Sequence, residues 1–159
     1  MASKSLIIDH SSSEVSFQVK KLGIFTIKGR IEGFTGKVSF SKEALKDAHF
    51  DVCVSPSSIN TGNAKRDEHL KSKDFFYVNE HPNICFQSTS TQATVSGYEA
   101  VGTLSILGIT KKVSIPFSFS EGIFVGQFSI NRLDFKLGEK FPALIVGKTI
   151  HITINCKIK

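Results

Sequence analysis

The chain has no tryptophan, two tyrosines, one methionine, four prolines and three cysteines among its 159 residues. Three cysteines are an odd number, and none stands in a C-x-x-C pair. That excludes the disulfide framework of small secreted domains and a zinc knuckle. Cys53, Cys85 and Cys156 are therefore read as reduced structural thiols, the state expected in the cytosol. Long apolar runs are missing too, and no window approaches the length of a membrane span. In the opening "MASKSLIIDH" only Leu6, Ile7 and Ile8 stand together, too few for the apolar region of a signal peptide. The expectation is a soluble cytoplasmic protein, with a periplasmic location as the alternative if an export signal has been removed. No run of five Lys and Arg occurs, and no strand interleaves basic residues with exposed aromatics, so nucleic acid is not an expected partner. The glycines form neither G-x-G-x-x-G nor a Walker loop, which excludes the common nucleotide signatures. His10, His49, His69, His81 and His151 show neither H-x-H nor H-x-x-x-H spacing, so no metal site and no cofactor is expected.

What is abundant is phenylalanine, at fourteen residues. A Phe-rich interior is apolar and carries no side-chain donors, which suits a dry core or a greasy cavity. The net charge is +6, and it attracts anionic partners such as a phosphate-bearing head group or an acidic membrane surface. Transient contact with an anionic membrane is therefore expected, and a homodimer is a further expectation the sequence leaves open.

Two-residue alternation dominates the chain and argues for half-buried antiparallel strands. In "EVSFQVK" Val15, Phe17 and Val19 share one face. "GIFTIKGRIEGF" places Phe25, Ile27, Gly29 and Ile31 in one line, with Gly29 and Gly33 marking a bulge or bend. "GKVSFS", "HFDVCVS", "NICFQST", "YEAVGTLSILG", "KKVSIPFSFS", "IFVGQFSINRLDF" and "KTIHITINCKI" follow as further strands. Turn signals at Gly23, Gly36, Pro56, Pro82, Gly97, Gly108, Gly122 and Gly138 separate them. Eight or nine strands with little helix predict one all-β domain over 1–159, and a closed barrel is favoured because closure removes exposed edges.

One segment breaks the pattern. From Thr61 to Phe76 the chain is dense in charge, with Asn63 placed to cap a short helix, Asp67 and Lys71 four apart, and Leu70 as an apolar anchor. A polar insert of this length in a compact domain reads as a functional crossover or lid. Arg66 and Asp67 read either as an ion pair fixing the crossover to the barrel end or, for Arg66, as a head-group ligand at the mouth. His69 reads as a ring stacked at the rim. Phe75 and Phe76 cannot both point inward if their segment is extended, so one is expected to plug the barrel end and the other to touch ligand or partner. Asp67, His69 and Asp74 supply a conceivable base and orienter, but no Ser or Cys nucleophile accompanies them, and no catalytic residue is assigned.

The segment "SINTGNAKRDEHLKSKDFFYVNEHPNICFQST" resembles the hallmark of the YceI-like family of bacterial polyisoprenoid-binding proteins: a Thr-Gly, then Arg-Asp-x-His-Leu, Ser-x-Asp-Phe-Phe and Pro-x-Ile-x-Phe. "VGTLSILGITKKVSIPF" and "INRLDFKLG" are similar to its Gly-x-Leu-Thr-x-x-Gly-x-Thr-Lys and Arg-x-Asp-Phe-Gly elements. The chain departs from the pattern at Ser12 and Lys21, where the family often has His, at Tyr77 in place of Asp, and at Lys136, where a Gly often follows the Phe. The resemblance implies an elongated, lipocalin-like antiparallel barrel of about eight strands with a short helical crossover at about 61–76. It also implies non-enzymatic binding, carriage or storage of a long isoprenoid or acyl lipid, such as a quinone or polyprenyl phosphate, in the lumen. The alternatives are an enzyme acting on an isoprenoid and a protein-interaction barrel with a filled core. The expected lumen residues are Phe17, Val19, Phe25, Ile27 and Phe40 from the first strands. Ile84, Phe86, Leu104 and Ile106 follow from the middle of the chain, and Ile115, Phe117, Phe128 and Ile130 from its last third. The expected head-group or crossover residues are Arg66, Asp67, His69, Phe75 and Phe76.

Overall fold

The computed structural model describes residues 4–159. Eight strands make an all-antiparallel ring in which chain neighbours are also spatial neighbours: β2 (Glu14–Lys21), β3 (Phe25–Phe40), β4 (His49–Asn60), β5 (Ile84–Ala93), β6 (Tyr98–Ile106), β7 (Ile109–Ser120), β8 (Ile123–Asn131) and β9 (Thr149–Lys157). β9 returns to pair with β2, and β3 with β4, so the sheet closes. The short β1 (Lys4–Leu6) pairs with the end of β3, beyond the stretch of β3 that β2 covers. Closure leaves the barrel strands without a free edge.

The two segments read as separate strands, "GIFTIKGRIEGF" and "GKVSFS", are one sixteen-residue strand, β3. Bulges between Arg30 and Thr35 let it continue rather than turn, and Gly33 takes φ +75° there. The bulge switches the inward set from odd residues, ending at Ile31, to even ones, Phe34, Val38 and Phe40. Gly36 and Pro56 are therefore not turns but lie within β3 and β4. At Gly36 a Cβ would meet the Asp51 carbonyl oxygen at 2.1 Å, which explains the glycine. The true hairpin turns at Leu107-Gly108 and Glu121-Gly122 carry paired positive φ values, the backbone that matches the twist of antiparallel strands.

Two regions fill the interior differently. At the end formed by the β3–β4, β5–β6 and β7–β8 connections, Phe40 sits among Phe50, Tyr98, Phe117, Phe119 and Phe124, with ring centroids 5.2–6.3 Å from its own. The T-shaped and tilted geometries are those aromatic quadrupoles favour. Toward the opposite end, inward residues such as Val52, Phe128 and Ile152 keep part of their surface accessible. That end is roofed by the β4–β5 crossover, which holds the helix α1 (Ala64–Lys71), and by the β8–β9 loop.

The cysteines correct the reading from composition. Cys53 and Cys85 are direct register partners on β4 and β5, with Cα atoms 4.1 Å apart, and they form a disulfide. Cys156 alone is free. The expectation of three reduced thiols fails because spacing along the chain, 32 residues here, carries no information about which strand neighbours which. The inference of a reducing compartment falls with it.

Candidate functional site

Beneath the two roofing segments lies a hollow of about 140 Å³. Its wall comes mainly from inward positions of β2, β3, β4, β5, β6, β8 and β9 presented by strand alternation, with the out-of-phase Cys53 and Cys85 also reaching it. Of its twenty-five lining residues, one is charged. A second hollow of about 60 Å³ lies toward the aromatic end, and Phe34, Val52, Phe86 and Ile154 border both. Gly126 opens onto the smaller one, where a Cβ would stand 3.0 Å from Ile115 Cγ2.

The single charge on the wall is Arg132, 1% exposed. All five guanidinium N–H groups are used: Nε donates to Gly147 O at 2.9 Å, Nη1 to Leu137 O and Gly138 O, and Nη2 to Phe141 O and Val146 O, at 2.7–3.0 Å. Burial holds its pKa below the ordinary arginine value. No carboxylate is among its partners, and no donor is left over for a ligand. Its task is to fold the 133–148 loop over the barrel mouth, which a lysine with three donors on one atom could not do.

The two roofing segments meet in a seam. The Phe75 ring stacks on Phe141 at 5.0 Å, and His69 stands edge-on to both. Asp74 joins the segments electrostatically, with His69 Nε2 at 2.9 Å from one carboxylate oxygen and Lys140 Nζ donating to the other at 3.1 Å. The His69 hydrogen bond and then the Lys140 one hold the Asp74 carboxyl below its usual range. Gly138 lies so close beneath Phe75 that a Cβ would come within 2.5 Å of the ring.

Arg66 and Asp67 do not pair with each other. Both grip Thr61 at the end of β4: Arg66 donates from Nε and Nη2 to Thr61 Oγ1 and O at 2.8 Å, and Asp67 Oδ1 accepts from Thr61 N at 3.0 Å and from Thr61 Oγ1 at 2.5 Å. The ion-pair expectation fails because neighbours on one helical turn diverge, while Thr61 offers a donor and acceptors to both. Asn63 caps the helix, accepting from Arg66 N at 3.0 Å. Lys71 bonds Glu68 rather than Asp67. Arg66 also faces an open groove with Lys21 and Lys28.

Of the lumen residues read from the sequence, Phe17, Val19, Ile84, Phe86, Leu104, Ile106, Phe128 and Ile130 line the larger hollow, and Ile115 and Phe117 the smaller. Three are corrected. Phe25 and Ile27 have the inward phase but sit beyond the hollow, where Phe25 is 57% exposed and both line the open groove. Phe40 faces inward but belongs to the packed aromatic end. Phe75 and Phe76 both line the hollow, because their segment turns instead of extending: Phe75 N donates to Ser72 O and Phe76 N to Leu70 O. The wall residues missed by sequence reasoning include Arg132, Leu137 and Val146, whose loop shows no alternation. Ile150, Ile152 and Ile154 alternate onto the wall from β9, and the next residue of that face is Cys156. That residue is buried, and desolvation pushes its thiol up to about 11.

Comparison with known proteins agrees with this geometry. The UPF0312 protein of Vibrio campbellii is 28% identical over 151 residues, 88% of this chain and 80% of that one. Burkholderia cenocepacia BcnA superposes with a TM-score of 0.84 at 22% identity, over 94% of this chain and 98% of that one. A polyisoprenoid binding domain from Saccharophagus degradans, implicated in plant cell wall breakdown, superposes with a TM-score of 0.71 at 14% identity, over 99% and 98% of the two chains. At these identities the structural likeness shows the barrel fold. The model of the YceI-like domain matches residues 6–158, and the chain belongs to the YceI-like family.

Proposed function

We propose that this barrel binds one long apolar lipid, an isoprenoid chain, in its lumen, and carries or stores it without chemical change. The observation that carries the reading is the hollow itself: about 140 Å³ with hydrocarbon walls. Its one charge, Arg132, is already saturated by five backbone carbonyls. Such a space gains about 0.8 kcal/mol for each methylene-sized group it takes from water. A cavity of about 150 Å³ admits a group the size of benzene, so the resting hollow seats the first isoprenoid unit or two. Longer chains reach the 60 Å³ hollow by rearrangement of the side chains that border both. The polyisoprenoid-binding neighbour supports the ligand class. The head group lies at the mouth beside the crossover. The Cys53–Cys85 bridge suits an oxidising compartment, and we place the protein there rather than in the cytosol.

Extraction of the purified protein with organic solvent, followed by mass spectrometry, tests this. A co-purified isoprenoid or other long-chain lipid in reproducible stoichiometry supports it, and a lipid-free extract counts against it. A second reading, an interaction barrel with a filled core, is favoured by the five rings packed around Phe40. It predicts the lipid-free result together with failure of added isoprenoids to bind.

A further inference from the structure

We propose that the mouth end of the barrel is a docking surface for an anionic lipid bilayer, with the β2–β3 hairpin and the 139–148 loop entering the interface. Ten large apolar side chains are exposed among the described residues, and five of them crowd these two tips: Leu22 at 51%, Ile24 at 75%, Phe25 at 57%, Leu144 at 84% and Ile145 at 43%. The tips form one patch. Leu22 N donates to Ile145 O at 3.0 Å, Gly147 N donates to Lys20 O at 2.8 Å, and Lys21 bridges to Val146. At the aromatic end, by contrast, Ile7, Val95 and Ile123 stand on separate segments.

Charge around the patch is mostly positive, although Asp134 and Glu139 are exposed beside it. Between Glu14 and Glu32 the chain has no acid, while Lys20, Lys21 and Lys28 are exposed. The 136–148 loop adds Lys136, Lys140 and Lys148 against Glu139 alone. Four of the acids toward this end are engaged: Asp67 by Thr61, Glu68 by Lys71, Asp74 by His69 and Lys140, and Glu32 by Arg30. Lys21, Lys28 and Arg66 line an open groove whose other walls include Leu22, Phe25 and Ile27. Cations beside apolar side chains in one groove suit a phospholipid phosphate and its acyl chains, and juxtaposed apolar and basic groups are what hold a protein at an anionic interface.

The patch adjoins the rim of the hollow, since Val146, on its wall, bridges to Lys21, and Val19, also on the wall, lies two residues before Lys21. Docking therefore sets the mouth against the bilayer, so that a chain passes between membrane and lumen without crossing water. This consequence rests on the lipid-binding reading, whereas the docking surface stands on the patch.

Co-sedimentation of the full chain with vesicles of phosphatidylcholine, and of phosphatidylcholine with phosphatidylglycerol, tests the proposal. Binding is expected only to the anionic vesicles and falls as salt rises. The exposed double variants Ile24→Ser with Leu144→Ser, and Lys21→Glu with Lys28→Glu, should each lower partitioning about ten-fold with unchanged thermal melts. Equal binding to both vesicle types, no binding, or variants that bind like the wild type would overturn it. Lipid content of the same preparations separates the two ideas. Wild type that carries lipid but ignores anionic vesicles overturns docking alone, and lipid-free wild type that binds them supports docking and counts against lumenal burial.

Discussion

Replacing Val52 by Phe sets the stability of the empty barrel against its capacity for ligand. Val52 faces the interior from β4, lies opposite Phe86 in register, and borders both hollows. The substitution adds four carbons at the junction between them. An occupant displaced by those carbons forfeits about 3 kcal/mol of burial, roughly a two-hundred-fold loss of affinity. The empty protein moves the other way. A void of about 140 Å³ leaves its lining atoms without partners, and filling such a cavity commonly adds about 0.5–2 kcal/mol. The variant is therefore expected to unfold at higher urea while binding a C20 isoprenoid alcohol far more weakly in a native mass spectrometric titration. A filled core gives a different pair, a loss of about 1–3 kcal/mol from overpacking with ligand behaviour unchanged. Destabilisation with undiminished binding would refute the reasoning.

Further outcomes follow from the roof and the thiols. Arg132→Met leaves five carbonyls without their donor and should cost about 3–5 kcal/mol, read as a lower urea midpoint and new protease cleavage within 133–148; an unchanged midpoint would remove the loop-organising role. Denatured but unreduced protein should show one reactive thiol, Cys156, and reduction of the bridge, whose ends are 32 residues apart, should lower stability by about 4 kcal/mol; three thiols would contradict the pairing. Asp74 has a folded pKa below its ordinary 3.8, so its contribution to the seam is fully present above that pH and fades as pH falls through the lowered value. Protease nicking of the roof should therefore rise in that acid range, and Asp74→Asn should nick equally at neutral and acid pH; a wild-type roof indifferent to acid would sink this.

The alternation made faces legible but not heights. Phe25 and Ile31 share a phase, yet only Ile31 reaches the hollow, because period two says which side of the sheet a residue faces and nothing about its position along the barrel axis. Phe40 shows the same limit at the other end: its face was right, and its neighbours, five other rings, were unreadable. Bulges added a second obstacle, since the irregularity between Ser88 and Ser90 moves the buried phase of β5 from Phe86 and Ser88 to Thr91. Arg132 sat in a recognisable Arg-x-Asp-Phe element, but nothing local announced that five carbonyls from the 133–148 loop would converge on it. The disulfide was hidden for a related reason, since only the β4–β5 register brings Cys53 opposite Cys85. The crossover was legible as an insert with a helix and an Asn63 cap, while its fastening through Thr61 depends on where β4 ends.

The central claim is that an apolar chain lies inside the closed sheet. Crystals grown with a terminally brominated long-chain lipid locate the chain by the anomalous scattering of bromine. The account places that signal within the barrel, between Val52, Phe128 and Ile152. Bromine found only on the outer surface, or absent from crystals whose protein retains the empty hollow, would contradict it.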